Sequence, residues 1–262
     1  MIYYHAGRQK ENEMDILSIG NSFSQDAQRY LHGIAKSAGA NINCFNLYIG
    51  GCPLSRHYRN MQSGERAYTL EMNGVSTGFT TSLKEALLNR DWSLITLQQA
   101  SNRSPNYETY QPYLHALVAF VRECVPKAKI VIHQTWGYED GSQRLTEEMK
   151  YASYDAMFAD VKDAYAKAAR DAVADYIFPS GTVMAELIKA GIKVHRDTYH
   201  LSYGIGRYAA ALTWYKMLTG ADVSDVSFTD LDVPVTDGEI GAAKEIVNRI
   251  GSEYRELVIL PF

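Results

Sequence analysis

DILSIGNSFSQDAQRYLHGIAKSAG, residues 15–39, begins with a short apolar run and continues with a helical pattern. The run Asp15–Gly20 has the length of a buried strand and ends in glycine, and Met14 opens it. From Gln25 to Gly39 the apolar residues recur at helical spacing, and the final glycine is a typical helix stop. The stretch therefore predicts a strand, a turn and a helix, with Asn21 and Ser22 in the turn.

The same alternation continues along the rest of the chain. Strands are predicted over residues 43–49, 93–97 and 129–133, with a short fifth one at 192–194, and helices over 81–89, 110–124, 147–174, 182–190, 204–218 and 237–250. Residues 52–79 have a mixed composition that suits a long excursion with a small hairpin. Short apolar strands that alternate with helices predict a three-layer α/β/α sandwich around a central parallel sheet of about five strands.

Composition indicates the broad class of protein. The chain has 262 residues, of which 46% are hydrophobic and 21% charged, and a net charge of −4. It is long enough for one sizeable core. Without a long basic run, nucleic acid and anionic membrane are poor candidates as partners. We see no linker, so we expect one domain over residues 14–262, preceded by a polar tail at 1–13.

The N-terminus lacks the apolar segment of a signal peptide, and no apolar run reaches membrane-spanning length. The chain as given therefore predicts a soluble cytoplasmic protein, and earlier removal of a signal peptide would instead make it an exported one. The cysteines Cys44, Cys52 and Cys124 lack the spacing of a zinc site and suit a reduced protein or at most one disulfide. The sequence leaves the compartment and the oligomeric state open.

Ser22 is the first candidate for chemistry. In a parallel sheet the functional groups gather at the carboxyl ends of the strands. Ser22 follows the first predicted strand and lies where a helix begins, so the free N–H groups of that helix would face an oxyanion. Helix capping is the alternative explanation, since Asn and Ser are common N-caps. If Ser24 caps the helix instead, the hydroxyl of Ser22 is left free.

Asp197 and His200 form the second candidate group. Two residues separate them, so both side chains can enter one site from a single turn. The carboxylate would orient the imidazole, and the imidazole would accept the serine proton. Such pairs also occur on surface loops, and the meaning of this one depends on Ser22. His57 and His195 are alternative bases, or polar surface histidines.

Three loops at the same predicted edge could complete an acyl-transfer site. Gly50 and Gly51 follow the second strand and could bring a backbone N–H to an oxyanion. The stretch Gln98–Asn102 follows the third strand and could supply an amide donor. Trp136 and Tyr138 follow the fourth strand and could line a pocket for an acyl group or a sugar. Each loop also has an alternative explanation. The glycines could simply form a turn, the amides could bind loop backbone, and the two aromatic residues could pack at the strand end.

In this order and on these strand ends, the groups resemble the SGNH (GDSL-like) hydrolases. Gly20-Asn21-Ser22 stands where that family has Gly-Asp-Ser, and Gly51 matches the glycine of its second block. The segment Gln98–Asn102 is similar to the Gln-Gly-Glu-x-Asn version of sialate and xylan acetylesterase-like members. Asp197 and His200 match the Asp-x-x-His block. The chain looks like a subgroup with Gly-Asn-Ser-Phe in block one, whose function is uncharacterised.

The resemblance implies a flavodoxin-like α/β/α fold and a serine esterase. Ser22 would be the nucleophile, His200 the general base and Asp197 the residue that fixes the imidazole tautomer. This mechanism requires no metal and no organic cofactor.

The resemblance also implies an oxyanion hole and a class of substrate. The donors would be backbone N–H groups, including that of Gly51, together with the side chain of Gln98 or Asn102. The substrate would be an acetyl or other short acyl ester of a small molecule or a carbohydrate. Two alternatives stay open: a lipid esterase or thioesterase on the same triad, and an inactive SGNH-fold binding protein.

Overall fold

A seven-stranded sheet forms the centre of the computed structural model, which describes residues 13–257. The strands are β1 (Glu13–Gly20), β2 (Asn41–Tyr48), β3 (Tyr68–Met72), β4 (Val75–Thr81), β5 (Leu94–Leu97), β6 (Lys129–His133) and β7 (Tyr176–Phe178). Their spatial order is β4-β3-β2-β1-β5-β6-β7. The tail predicted at 1–13 lies outside the described residues except for Glu13, which begins β1 one residue before the predicted start.

Helices cover both faces of this sheet. They are α1 (Ser22–Gln28), α2 (Leu31–Ser37), α3 (Leu54–Ser63), α4 (Leu83–Leu88), α5 (Tyr113–Cys124), α6 (Tyr154–Asp171), α7 (Ser180–Lys189), α8 (Ile205–Thr219) and α9 (Asp237–Leu257). Alternate residues of β1 enter opposite cores: Ile16 packs with α1, α2, α7, α8 and α9, whereas Leu17 and Ile19 pack with α4, α5 and α6. The predicted three-layer sandwich is confirmed.

The parallel part of the sheet contains β2, β1, β5, β6 and β7 in that order. Numbered along the chain as parallel strands only, the order is the 2-1-3-4-5 of flavodoxin-like folds. The hairpin expected within residues 52–79 is also present, because β3 pairs antiparallel with both β2 and β4. It extends the parallel sheet at the β2 edge.

Several predicted elements were wrong. The fifth parallel strand is β7 rather than 192–194, which forms no strand; Val194 instead accepts a backbone hydrogen bond from Ser202 across a tight hairpin. A strand of three residues is too short to show a period in the sequence. The helix predicted over 25–39 is divided into α1 and α2, and within the one predicted over 147–174 the helix α6 begins only at Tyr154. The helix α3 was not predicted.

The junction of β1 and α1 places Ser22 at the carboxyl edge of the sheet. A Cβ atom on Gly20 would lie 1.9 Å from Ser24 Oγ and 2.7 Å from Asn46 Oδ1. Glycine at this position therefore lets the helix start immediately after the strand, with only Asn21 between them. The loops after β2, β5 and β6 lie at the same edge because those strands run parallel to β1.

Candidate active site

Ser22, His200 and Asp197 are joined by a continuous line of hydrogen bonds. The Nε2 atom of His200 lies 2.9 Å from Ser22 Oγ, although 178 residues separate them. The Nδ1 atom of His200 lies 2.8 Å from Asp197 Oδ2, and the backbone N–H of His200 donates to Asp197 Oδ1 at 2.9 Å. These distances suit transfer of a proton from the hydroxyl to the imidazole.

The carboxylate of Asp197 is held in its charged form. Burial alone would raise the pKa of Asp197, but hydrogen bonds from the side chain and backbone of His200 outweigh it, so the pKa lies below its usual value. A charged carboxylate accepts the Nδ1–H of the imidazole and so leaves Nε2 free to receive a proton from Ser22.

A short hairpin presents the Asp-x-x-His segment. A bridge between His195 and Leu201 closes it, and the N–H of Arg196 donates to His200 O at 3.0 Å. Thr198, at the tip, has a φ of 77°, which is strained for a β-branched residue and costs roughly 1–3 kcal/mol. The surrounding hydrogen bonds maintain this conformation, including one from Glu139 N to Thr198 O at 2.7 Å.

Asn21, rather than Ser22, caps α1. Its Oδ1 accepts from the N–H of Phe23 at 2.9 Å, while Ser24 Oγ accepts from the N–H of Asn21 at 3.0 Å, which completes a capping box. Capping therefore does not occupy the Ser22 hydroxyl. Ser22 is the first residue of the helix, and a backbone N–H at this position has no intrahelical acceptor.

A cavity of about 280 Å³ opens over Ser22 and His200. Its lining residues come from the loops after β1, β2 and β5 and from the His200 hairpin: Asn21, Ser22, Phe23, Tyr48, Gly50, Gly51, Ser101, Tyr199 and His200. Phe23, Tyr48 and Tyr199 supply aromatic walls. The sequence pattern did not single out Phe23 or Ser101 as lining residues.

Gly50 and Gly51 reach the cavity through a tight turn. The N–H of Cys52 donates to Ile49 O at 3.2 Å, and Gly51, third in this turn, has a φ of 60°, which glycine adopts without strain. The Nδ2 atom of Asn21 donates to Cys52 O at 3.2 Å and thereby attaches the turn to the start of α1. Gly51 is thus near Ser22, as an oxyanion donor requires.

The two amides expected as oxyanion donors do not line the cavity. Gln98 is 2% exposed, and its Nε2 donates to Asn21 Oδ1 at 2.8 Å. Asn102 is exposed and lies outside the cavity lining. Ser101, between them, does line it, and its Oγ lies 2.9 Å from Tyr138 Oη. Neither amide therefore faces the cavity, and Ser101 is the residue of this loop that does.

Trp136 and Tyr138 lie behind the cavity wall instead of forming it. Trp136 is fully buried, stacks on Phe23 with ring centroids 4.3 Å apart, and donates its Nε1–H to Tyr199 O at 2.8 Å. Tyr138 is 2% exposed and contacts Ser101. Both residues therefore support wall residues, and neither one lines the cavity itself.

The alternative bases are also buried elsewhere. Burial lowers the pKa of His57 to about 3, and its Nδ1 lies 3.0 Å from the hydroxyl of Tyr68. His195 is 4% exposed, and its Nε2 lies 3.0 Å from Gly137 O. Neither histidine lines the cavity over Ser22.

A buried carboxylate ties the nucleophile helix to the His200 hairpin. Asp26 of α1 is fully buried and accepts from Arg196 Nη1 at 2.9 Å, Arg207 Nε at 2.8 Å and Leu201 N at 3.0 Å. Arg196 and Leu201 belong to the hairpin, and Arg207 belongs to α8. These directional contacts fix α1 and the hairpin relative to each other.

Solved structures define the class of this fold. A candidate SGNH hydrolase from Slackia heliotrinireducens matches with a TM-score of 0.56 at 23% identity, over 78% of this chain and 98% of that one. A candidate GDSL-like lipase from Parabacteroides merdae ATCC 43184 matches with a TM-score of 0.53 at 16% identity, over 80% and 96%. The chain has the SGNH hydrolase fold, as the sequence blocks predicted.

Within that class the chain belongs to the DUF4886 family, a domain of unknown function whose family model matches residues 15–245. A DUF4886 family protein from Bacteroides uniformis ATCC 8492 is 31% identical, with a TM-score of 0.82 over 90% of this chain and 94% of that one. No curated protein matches the sequence. Among the described residues, no helix combines the length and apolar character needed to cross a membrane.

We predict that Asp26→Asn lowers the free energy of unfolding by about 3–5 kcal/mol, because it removes the fully buried charge with which Arg196 and Arg207 both pair. Asp232→Asn is the matched control, since Asp232 also pairs with Arg207, and with Arg29, but at a more exposed site. We expect it to cost about 1 kcal/mol. Urea unfolding measures both changes, and equal small losses would contradict the structural role given to Asp26.

Proposed function

We propose that this protein is a serine esterase that hydrolyses short acyl esters through Ser22, His200 and Asp197. The observation that carries the proposal is the 2.9 Å contact between Ser22 Oγ and His200 Nε2, continued by the 2.8 Å contact between His200 Nδ1 and Asp197 Oδ2. This arrangement occurs at the floor of a cavity, at the carboxyl edge of a parallel sheet.

In the proposed reaction, His200 Nε2 takes the hydroxyl proton as Ser22 Oγ bonds to the ester carbonyl carbon. The carbonyl oxygen becomes an oxyanion, and its collapse breaks the bond to the alcohol, which leaves with the proton from His200. Water then attacks the acyl-enzyme by the same steps and releases the acid. Asp197 keeps the proton on Nδ1 and stabilises the imidazolium.

Three donors are proposed for the oxyanion. The N–H groups of Ser22 and Gly51 come from the first turn of α1 and from the turn after β2. The third is the hydroxyl of Ser101. Burial raises the pKa of Tyr138, so its phenol stays neutral and can donate to Ser101 Oγ. The hydroxyl hydrogen of Ser101 is then free to point into the cavity.

The cavity favours a small substrate. Its volume of about 280 Å³ is just below the ~300–1,000 Å³ typical of ligand pockets. The aromatic walls from Tyr48 and Tyr199 suit the apolar face of a sugar ring as well as an acyl chain. We therefore propose an acetyl or similar short acyl ester, carried by a small alcohol or a carbohydrate.

The first prediction from this proposal concerns Ser22. Wild-type protein should hydrolyse p-nitrophenyl acetate, and Ser22→Ala should lower kcat by about 10³-fold or more because the attacking oxygen is gone. Ser63→Ala, at the end of α3 and outside the cavity, should match wild type. A fluorophosphonate should label wild type but not Ser22→Ala. Equal hydrolysis by both proteins would contradict the role of Ser22 as nucleophile, and an inert wild type would favour a binding protein.

The second prediction concerns the acyl group. In a series of p-nitrophenyl esters from acetate to palmitate, kcat/KM should be highest for acetate to butyrate, since the cavity offers about 280 Å³. A maximum at long chains would instead favour the lipid esterase or thioesterase.

The third prediction separates Ser101 from its neighbour. Ser101→Ala should lower kcat by about 10²-fold with little change in KM, because the donor acts on the transition state. Asn102→Ala is the matched control and should behave as wild type, since Asn102 is exposed. If Asn102→Ala lowered kcat and Ser101→Ala did not, the donor would be the amide of Asn102, one of the two that the family resemblance implied.

A further inference from the structure

A line of buried polar side chains runs from the interior of the sandwich to the turn at Gly50 and Gly51. Along the line, Trp214, Ser180 and His133 are fully buried, and Gln98 and Asn21 are each 2% exposed. Neither the proposed hydrolysis nor the sequence blocks assign a role to the inner residues of this line, Trp214, Ser180 and His133. Burial of five polar groups away from water costs free energy unless each one is hydrogen-bonded. Each polar atom of the line is therefore expected to have a partner, and the hydrogen bonds can be assigned on that basis.

The direction of every bond is fixed from the Asn21 end. The N–H of Phe23 can only donate, so the Asn21 atom 2.9 Å from it is Oδ1. The Gln98 atom 2.8 Å from Oδ1 must then be the donor Nε2. Its other end, Oε1, lies 2.6 Å from His133 Nδ1, which must carry a hydrogen. Asn21 is left with Nδ2, which donates to Cys52 O at 3.2 Å.

The opposite end of the line is compatible with the same assignment. The Nε1–H of Trp214 can only donate, and it lies 3.2 Å from Ser180 Oγ. Ser180 therefore accepts there, which leaves its own hydrogen available for His133 Nε2, 3.1 Å away. Burial lowers the pKa of His133 to about 3, so the ring is neutral and Nε2 can accept. The Asn21 end thus requires the tautomer of His133 with its hydrogen on Nδ1, and the Trp214 end accommodates it.

We propose that Trp214, Ser180, His133, Gln98 and Asn21 form a positioning network, which orients the turn bearing the Gly51 oxyanion donor relative to Ser22. The network ends on Cys52 O in that turn, and the same Asn21 also caps the helix that carries Ser22. It therefore sets the distance between two of the proposed oxyanion donors. This inference rests on the proposed esterase function.

The network also explains why Asn stands where the resembling family has Asp. Position 21 must accept from Phe23 N and Gln98 Nε2 and must donate to Cys52 O. An amide meets all three requirements, whereas a carboxylate has no donor and would face the Cys52 carbonyl with like charge. Asn21→Asp restores the common family residue, but we expect it to release the turn.

Activity tests the positioning role. Asn21→Asp should lower kcat for p-nitrophenyl acetate by about 10-fold or more, while KM changes less than about 3-fold, because a displaced oxyanion donor weakens transition-state binding. Gln98→Glu should have the same effect, since it removes the donor to Asn21. Asn60→Asp is the matched control: Asn60 is also a buried asparagine, at 6% exposure in α3 and outside the network. It should lose stability, seen in its melting temperature, but keep the wild-type kcat.

A measurement on the wild-type protein does not depend on any variant folding. In 15N-histidine-labelled full-length protein, the His133 ring, assigned with His133→Gln, should be neutral at pH 7 with its hydrogen on Nδ1. A hydrogen on Nε2, or a charged ring, would overturn the network. Wild-type hydrolysis with an unchanged kcat in Asn21→Asp would overturn its positioning role alone. A wild type that hydrolyses no ester would overturn the proposed function and the positioning role together, whatever the tautomer.

Discussion

The carboxylate of Asp26 holds together the two parts of the chain on which the candidate site depends. Ser22 and His200 are 178 residues apart, and apolar packing is not directional enough to fix their contact at 2.9 Å. Asp26 and Ser22 are four residues apart on α1 and so lie on one face of that helix. The side chain of Ser22 contacts the imidazole, and that of Asp26 accepts from three donor groups, two of which belong to the hairpin that carries the imidazole. A single face of α1 therefore determines both the contact of Ser22 with the imidazole and the position of the hairpin that carries it.

Two buried polar networks begin in this first helix, and they differ in charge. At Asp26 the network is ionic, and each charge in it has a partner. The side chains of Arg196 and Arg207 are 18% and 10% exposed, so these two residues keep part of their hydration. At Asn21 the network is neutral and runs inward to fully buried residues. Because an unpaired charge there would be very unfavourable, the inner network consists of amides, a hydroxyl, an indole and a neutral imidazole.

The sequence predicted those features that depend on local pattern or on order along the chain. The strand, turn and helix around Ser22 and the layers of the sandwich follow from periodicity and topology. The meeting of Ser22 with the Asp-x-x-His segment was expected from the resemblance to the SGNH hydrolases. Features that depend on tertiary packing were not predictable in this way. Gln98 and Ser101 are separated by two residues in the same loop, yet one is buried and the other lines the cavity. Nothing in their spacing distinguishes them, and the same holds for Trp136, an aromatic at a strand end that is fully buried.

The two departures from the resembling family's pattern are connected through one hydrogen bond. Asn21 needs a second donor on Oδ1 and receives it from Gln98 Nε2, so this block-three amide faces inward. Once Gln98 is turned toward Asn21 and His133, it cannot reach the cavity, and Ser101 is the block-three residue that does. Asn in place of Asp and the proposed serine donor in place of an amide are therefore parts of one arrangement. Two independent losses in a decaying site would not be expected to satisfy each other's hydrogen bonds, so the departures argue for a maintained site rather than an abandoned one.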